Sequence, residues 1–286
     1  MLNANALALL VDQALAEDVG DGDHSTLAVI PPDAMGHAIL KIKEAGILAG
    51  MEVAEFIFRY MEANCRFIPK KRDGDAMQPG EIAFEVEARV HVILKAERLV
   101  LNCMQRMSGI ATLTRKFTDL LKGYHTRVLD TRKSTPNFRL LEKEAVRIGG
   151  GLNHRMGLYD MIMLKDNHID FSGGIETAVD QAYAYAQTRK PVLKIEVETR
   201  NLEDVKKVMQ TGKVDRIMLD NFSPDMLKEA LKLIDGKFET EASGGINLDN
   251  LLAYAATGVD FVSIGGLIHQ ARSLDLSLKA VINKKA

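Results

Sequence analysis

From about Thr114 onward the chain is punctuated by short runs of apolar and β-branched residues, each separated from the next by helical periodicity and followed by a polar or glycine-rich cluster. The runs are Thr126 to Leu129, Met161 to Leu164, Val192 to Val197, Arg216 to Leu219, Phe238 to Ala242 and Phe261 to Ile264. Parallel strands covered on both faces read as short continuous apolar runs because neither face meets water, and strands alternating with helices imply βαβ units. The pattern predicts an α/β barrel with six strand candidates. Whether the barrel closes is left undecided.

The residues behind each run carry the functional information. Asp130, Arg132 and Lys133 follow the first, Lys165 the second, Glu198 the third, and Asp220 with Asn221 the fourth. Ser243, Gly244 and Gly245 follow the fifth, and Gly265 with Gly266 the sixth. In α/β barrels catalytic groups stand at the carboxyl ends of strands, and late glycine loops hold a phosphate through backbone N–H groups. Two glycine pairs in consecutive late units suit such a site. Between Asp130 and Ile169 the chain also concentrates Arg132, Lys133, His154, Arg155 and Lys165. Arginine grips planar carboxylates and phosphates bidentately, whereas lysine is a compact charge. Two anionic reactants would account for so many cations. Glu198 and Asp220 would then hold magnesium or stabilise positive charge on a sugar carbon, or else form ordinary rim salt bridges.

The first hundred residues follow a different, α+β pattern. Residues 1–20 have apolar positions at helical spacing, His37 to Lys43 alternates as a strand does, the AGILAG stretch suggests a second strand, and Met51 to Met61 returns to helical spacing. In EDVGDGDHSTL the glycines and aspartates resemble a calcium loop, but no glutamate stands at the twelfth position, so a turn or helix cap is expected. Alternation from Ile82 to Val92 predicts a strand, and a long helix is expected from near Ala96. On that helix Leu99, Cys103, Arg106 and Ile110 share a side, which places Arg106 near an apolar face; it must snorkel from the edge or reach an anion. Near the end, Leu274, Leu276 and Leu278 alternate with polar residues, a strand period out of step with the barrel and suited to pairing with the N-terminal sheet.

Composition removes several classes of function. With 47% hydrophobic and 27% charged residues in a chain of 286, the sequence can bury a core, and a formal net charge of −2 leaves no basic excess for nucleic acid or a membrane surface. Cys65 and Cys103 have no partner at metal-ligand spacing, which argues against a zinc site or disulfide scaffold and fits a reducing compartment. The N-terminal stretch lacks a basic start and meets Asp12 early, and no run approaches the roughly 20 apolar residues that span a bilayer. A cytoplasmic location is expected.

The segments DTRKSTPNFR, GGGLNHRMGLYDMIMLKDNHI, EVE, IMLDNF, EASGGI and SIGG, with ERLVLNCMQRMSGIAT upstream, resemble quinolinate phosphoribosyltransferase, also called decarboxylating nicotinate-nucleotide pyrophosphorylase. The similarity runs in order from EDVGDGDHST to DLSLK; Ser134 stands where the family more often has threonine and Asn137 where it often has glycine. The resemblance implies an N-terminal α/β sandwich over residues 1–113, joined by 273–286, and an atypical open α/β barrel of about six strands over 114–272, the type II phosphoribosyltransferase arrangement. It implies that quinolinate and phosphoribosyl pyrophosphate, with magnesium (Mg2+), give nicotinate mononucleotide, pyrophosphate and CO2, a step of NAD biosynthesis. It also implies a homodimer, or a higher oligomer built from it, in which the partner completes each active site.

Carried over by residue, Arg132, His154, Arg155 and Lys165 would surround the quinolinate carboxylates, with Arg106 arriving from the other subunit. Lys133 would lie near the pyrophosphate, Glu198 and Asp220 would face the ribose and magnesium, and Ser243, Gly244, Gly245 and Gly265 would hold the 5′-phosphate. Two other readings compete. An aldolase-like phosphosugar enzyme would use Lys165 as a Schiff-base nucleophile, trappable by borohydride, but leaves Arg106, Arg132 and Arg155 without a purpose. A non-catalytic sensor of a phosphorylated metabolite would need the cations and glycine loops but not Glu198 and Asp220, and would bind without turnover.

Overall fold

The computed structural model describes residues 2–281. Helix α1 (Ala4–Val19) starts where the Asn3 side chain accepts the N–H groups of Asn5 and Ala6. Helix α2 (His24–Val29) starts at Asp23, whose carboxylate accepts the Thr26 N–H, so the DGD stretch serves as a helix cap. Strand β1 (Met35–Ile42), the two-residue β2 (Gly46–Ile47), α3 (Met51–Met61), β3 (Arg66–Pro69), β4 (Ala76–Met77), β5 (Ile82–Arg89) and α4 (Val90–Leu120) follow. Then come β6 (Arg127–Leu129), α5 (Arg139–Ile148), β7 (Ile162–Leu164), α6 (Asp166–Ser172), α7 (Ile175–Gln187), β8 (Ile195–Thr199), α8 (Leu202–Thr211) and β9 (Arg216–Asp220). The chain ends through α9 (Pro224–Ile234), β10 (Glu239–Ser243), α10 (Leu251–Ala255), β11 (Phe261–Ser263), α11 (Gly266–His269) and β12 (Leu276–Ala280).

These elements form two compact units. One takes the chain up to Arg115, the segment Ser134–Gly150 and the chain from Gln270 onward; the other takes Lys116–Lys133 and Gly151–His269. The segment Ser134–Gly150, with α5, therefore belongs to the first unit although the sequence places it among barrel residues.

In the first unit β12, β1, β5 and β3 form an antiparallel sheet in that order. Leu40 of β1 pairs with Phe84 on one side and Leu278 on the other, and all three are buried. Period-2 alternation puts Ala38, Leu40 and Ile42 on one face, and Phe58 of α3 meets it: Phe58, Phe67 and Phe84 cluster with ring centroids 4.6–6.2 Å apart. Each fully buried aromatic contributes on the order of 1.5–3 kcal/mol. The terminal leucine alternation is accordingly strand β12.

Helix α4 starts at Val90, six residues before the expected start. Val90 and Val92 continue the strand alternation of β5, but Val92, Ile93, Ala96 and Val100 are all buried, a spacing that only a helix can turn to one side. AGILAG also differs from expectation, since its pairing is confined to Gly46 and Ile47.

In the second unit β6, β11, β10, β9, β8 and β7 form one parallel sheet in that order. Strands β7 to β11 are neighbours in sequence order and β6 returns beside β11, the order of a barrel. Among the described residues no ladder joins β6 to β7, so the sheet is open there. All six expected runs are strands; the third begins at Ile195, because Val192 is exposed and lies in the preceding loop.

Candidate active site

All strands of the second sheet run the same way, so their carboxyl ends lie along one edge. On that edge stand Asp130, Arg132 and Lys133 after β6, Lys165 after β7, Glu198 in the last turn of β8, Asp220 closing β9, Ser243 closing β10, and Gly265 after β11. The loop from Gly151 to Met161 adds His154 and Arg155. Thus every site residue expected from the sequence, apart from Arg106, belongs to this unit.

Two carboxylates and a lysine meet at the centre. The Lys165 ammonium lies 3.8 Å from Glu198 Oε2, with the lysine half exposed and Glu198 nearly buried. Burial, then the Asp220 charge, raises the Glu198 pKa, while Lys165 and the Asp166 N–H oppose the rise. Asp220 accepts a 2.6 Å hydrogen bond from the Asn221 side chain. The charge of Asp220 acts on Glu198, and a cation or a developing positive charge beside them relieves that repulsion.

Beside them the second unit gathers cations. Burial, then the charge of Arg132, lowers the Arg155 pKa, so these two guanidiniums are near enough to repel. Arg155 also donates to the Met161 carbonyl at 3.3 Å, which fixes the direction of its side chain. The tip of the same loop is tied by Asp160, which accepts the N–H groups of Met156 and Gly157.

The glycine end is close-packed. Asn221 has φ 57° and donates its N–H to the Ser243 carbonyl, and its side chain then crosses Gly244 so closely that a Cβ at 244 would lie 2.1 Å from Asn221 Oδ1. Gly244 and Gly245 both have positive φ, 100° and 64°. Lys133 extends along the next loop, with its Cδ 3.0 Å from where a Cβ on Gly265 would stand. Glycine leaves backbone N–H groups uncovered beside a lysine, a setting for phosphate.

His154 occupies a different environment from the arginines and lysines. It is buried, and its Nε2 lies 2.9 Å from Glu196 Oε2 and 3.3 Å from Glu241 Oε2, between the two carboxylates. Glu241 also meets Arg216, whose guanidinium donates at 3.0 Å and stacks 4.3 Å from the Phe261 ring centre. Burial opposes charge on His154 and the two glutamates favour it, but Nδ1 accepts the Arg155 N–H at 2.6 Å, so the ring holds one proton, on Nε2. Burial and the Glu241 charge raise Glu196. Glu196, Arg216 and Glu241 were missed in the sequence. For the glutamates the signal was charge at alternate positions inside IEVET and ETEAS, and for Arg216 a charge opening RIMLD, where a parallel strand covered on both faces should be apolar throughout.

Arg106 lies in the first unit. Its Nε and Nη2 donate to Glu142 Oε1 at 3.0 and 2.9 Å, and its Nη1 donates to the Ala271 carbonyl at 2.6 Å. Glu142 is fully buried and also accepts from the Thr135 N–H and hydroxyl. Within the chain, the anion that an arginine on an apolar helix face requires is Glu142.

Among the described residues no helix is long and apolar enough to cross a membrane. The chain matches the quinolinate phosphoribosyl transferase N-terminal domain over residues 23–108 and the C-terminal domain of the same name over 110–279. It is 43% identical to the chloroplastic nicotinate-nucleotide pyrophosphorylase [carboxylating] of Arabidopsis thaliana, covering 96% of this chain and 82% of that protein. It is 39% identical to the probable nicotinate-nucleotide pyrophosphorylase [carboxylating] of Bacillus subtilis, covering 100% and 97%. The crystal structure of NadC from Streptococcus pyogenes superposes with a TM-score of 0.91 at 39% identity, covering 99% of each chain. Matched by both family domains in order and by such relatives along nearly its whole length, the chain belongs to the quinolinate phosphoribosyltransferase family.

Proposed function

We propose that the chain transfers the phosphoribosyl group of phosphoribosyl pyrophosphate to quinolinate with loss of CO2, giving nicotinate mononucleotide and pyrophosphate, a step of de novo NAD synthesis. The observation that carries this reading is that one sheet edge gathers Arg132, Arg155 and Lys165 with Glu198 and Asp220, the Lys165 ammonium 3.8 Å from Glu198 Oε2. The arginines call for a planar dianion, and the carboxylates for a centre that becomes positive. A pyridine dicarboxylate and a ribosyl carbon losing its pyrophosphate meet both demands.

In this reading Arg132, Arg155 and Lys165 hold the two substrate carboxylates. As the bond from the ribose carbon to pyrophosphate breaks, Glu198 and Asp220 supply fixed negative potential beside that carbon. The pyridine nitrogen attacks, and the ring becomes cationic. The bond to the carboxylate next to that nitrogen then breaks, its electron pair is stabilised by the cationic ring, and the ring carbon takes a proton. Lys133 faces the pyrophosphate, and Ser243, Gly244, Gly245 and Gly265 receive the 5′-phosphate.

Magnesium fits this site by its donor chemistry: Glu198 and Asp220 present hard carboxylate oxygens that would hold a divalent ion, whose charge would relieve the repulsion between them. When bound, it would neutralise charge on the leaving pyrophosphate. The oligomer in this reading is a homodimer in which the partner's Arg106 completes each site, and the compartment is the cytoplasm. What supports the first is that Arg106 is fixed on α4 by Glu142 while its side chain keeps 23% exposure.

The test is to mix the purified protein with quinolinate, phosphoribosyl pyrophosphate and magnesium and to follow nicotinate mononucleotide by chromatography. Product that depends on all three additions is expected; none from folded protein would refute the reading. For the dimer, folded R106A and E198A chains, each inactive alone, should on mixing regain about a quarter of wild-type activity, since random pairing of two-fold dimers restores one site in four. No recovery would refute sharing.

A further inference from the structure

We infer that His154, Glu196 and Glu241 form a buried clasp that positions the substrate cations, with His154 acting through its neighbours instead of touching quinolinate. This inference deepens the proposed function and rests on it for the identity of the substrate.

The connections of one residue carry it. The His154 backbone N–H donates to Asp130 Oδ1 at 2.8 Å, and Asp130 is fully buried two residues before Arg132. The His154 ring Nδ1 accepts the Arg155 N–H at 2.6 Å, fixing the backbone from which the second arginine springs. With Nδ1 accepting, Nε2 carries the proton and faces Glu196 and Glu241. Glu196 lies two residues before Glu198, on the same face of β8, and Glu241 lies two residues before Ser243 on β10. One residue thus joins the end of β6 through its backbone, and through its ring the arginine loop, the strand of the catalytic carboxylate and the strand leading to the phosphate loop.

The cost of the arrangement points the same way. Glu196 and Glu241 are both 0% exposed, and taking a carboxylate out of water costs several kcal/mol unless it is well paired. Neither carboxylate oxygen of Glu196 has a hydrogen-bond donor in line with it among the described residues. Apolar residues would pack there more stably, so the carboxylates are retained for what they orient. The ring stands between both instead of in line with either, which suits a strut between two strands.

Two readouts test the clasp in the full-length protein. H154L removes the donor and H154Q restores one near the Nε2 position. Hydrogen–deuterium exchange, which needs no substrate, should rise in residues 151–161 of H154L, with β8 and β10 protected as in wild type and partial restoration in H154Q. In steady-state kinetics the KM for quinolinate should rise about tenfold in H154L and less in H154Q, with the KM for phosphoribosyl pyrophosphate within about twofold; E196Q and E241Q should behave similarly. Unchanged exchange in 151–161, exchange raised throughout the unit, or equal effects on both KM values would overturn the clasp. A wild-type protein inactive on quinolinate refutes the proposed substrate instead, and the exchange result then decides the clasp alone.

Discussion

In the antiparallel sheet of the first unit the inward positions are Ala38, Leu40, Ile42, Phe84, Val86, Leu276 and Leu278; on one face of the parallel sheet of the second they include Glu196, Arg216 and Glu241. Both sets are buried to a similar degree, but they are held by opposite physics. The first is stabilised by removal of apolar area from water, a non-directional force that tolerates small shifts. The second depends on hydrogen bonds and charge pairing, which are directional and fail when one partner goes. A sheet whose ends must hold reacting groups in register gains from the directional kind. A sheet that only supports helices does not need it.

The largest effect that sharpens this contrast is expected at the edge of the parallel sheet. E198A or D220A should lower turnover about 10²- to 10³-fold with a smaller change in quinolinate affinity, by analogy with the loss of one preorganised electrostatic group; calorimetric binding beside single-turnover rates checks it, and unchanged turnover would remove that residue from the chemistry. Next come two truncations of similar size in the two units. R216M leaves Glu241 buried without its guanidinium and should cost about 3–5 kcal/mol, and F84A opens a cavity among Phe58 and Phe67 and should also cost about 3–5 kcal/mol. Denaturant melts should show comparable losses, but only R216M should raise the quinolinate KM of the remaining folded protein. If F84A does so equally, the contrast between the sheets fails.

A smaller effect is expected at Gly244, where φ 100° and the Asn221 side chain leave no room for a Cβ. G244A should cost about 1–3 kcal/mol and raise the KM for phosphoribosyl pyrophosphate; a neutral result would mean that Asn221 moves aside freely. The smallest is at Asp260, which accepts from the Thr240 N–H and hydroxyl and from His125. Burial opposes its charge, but these hydrogen bonds outweigh burial and hold its pKa below the ordinary value. A carboxylate with a depressed folded pKa stabilises above its unfolded pKa, near 4, and loses that contribution as pH falls through the folded value. D260N should therefore melt lower than wild type by about 1 kcal/mol at pH 7, with the gap closing below about pH 4. A gap independent of pH would assign the loss to shape instead of charge.

The parts legible in the sequence follow the same division. Six short runs located the parallel strands because burial on both faces leaves a mainly apolar and β-branched signal, and the polar residues behind them located the edge where Arg132, Lys165, Glu198 and Asp220 stand. The start of α4 was obscured because Val90 and Val92 continue the strand alternation of β5, and only Ile93, beyond them, breaks it. Glu196 and Glu241 went unnoticed because they lie inside the runs Val192 to Val197 and Phe238 to Ala242, which read as strand without regard to the charges within them, though both point inward at a period of two. Glu142, the partner of Arg106, lies 36 residues away on α5, a separation at which no periodicity connects two side chains.

The most direct test of the account is to follow a labelled carbon. Quinolinate carrying ¹³C in the carboxylate next to the ring nitrogen, incubated with phosphoribosyl pyrophosphate, magnesium and the protein, should release labelled CO2 in equal amount to nicotinate mononucleotide formed, with no label left in the nucleotide. Label retained in a nucleotide product, or CO2 released without nucleotide, would contradict the assignment of Arg132, Arg155, Glu198 and Asp220 to one decarboxylating transfer.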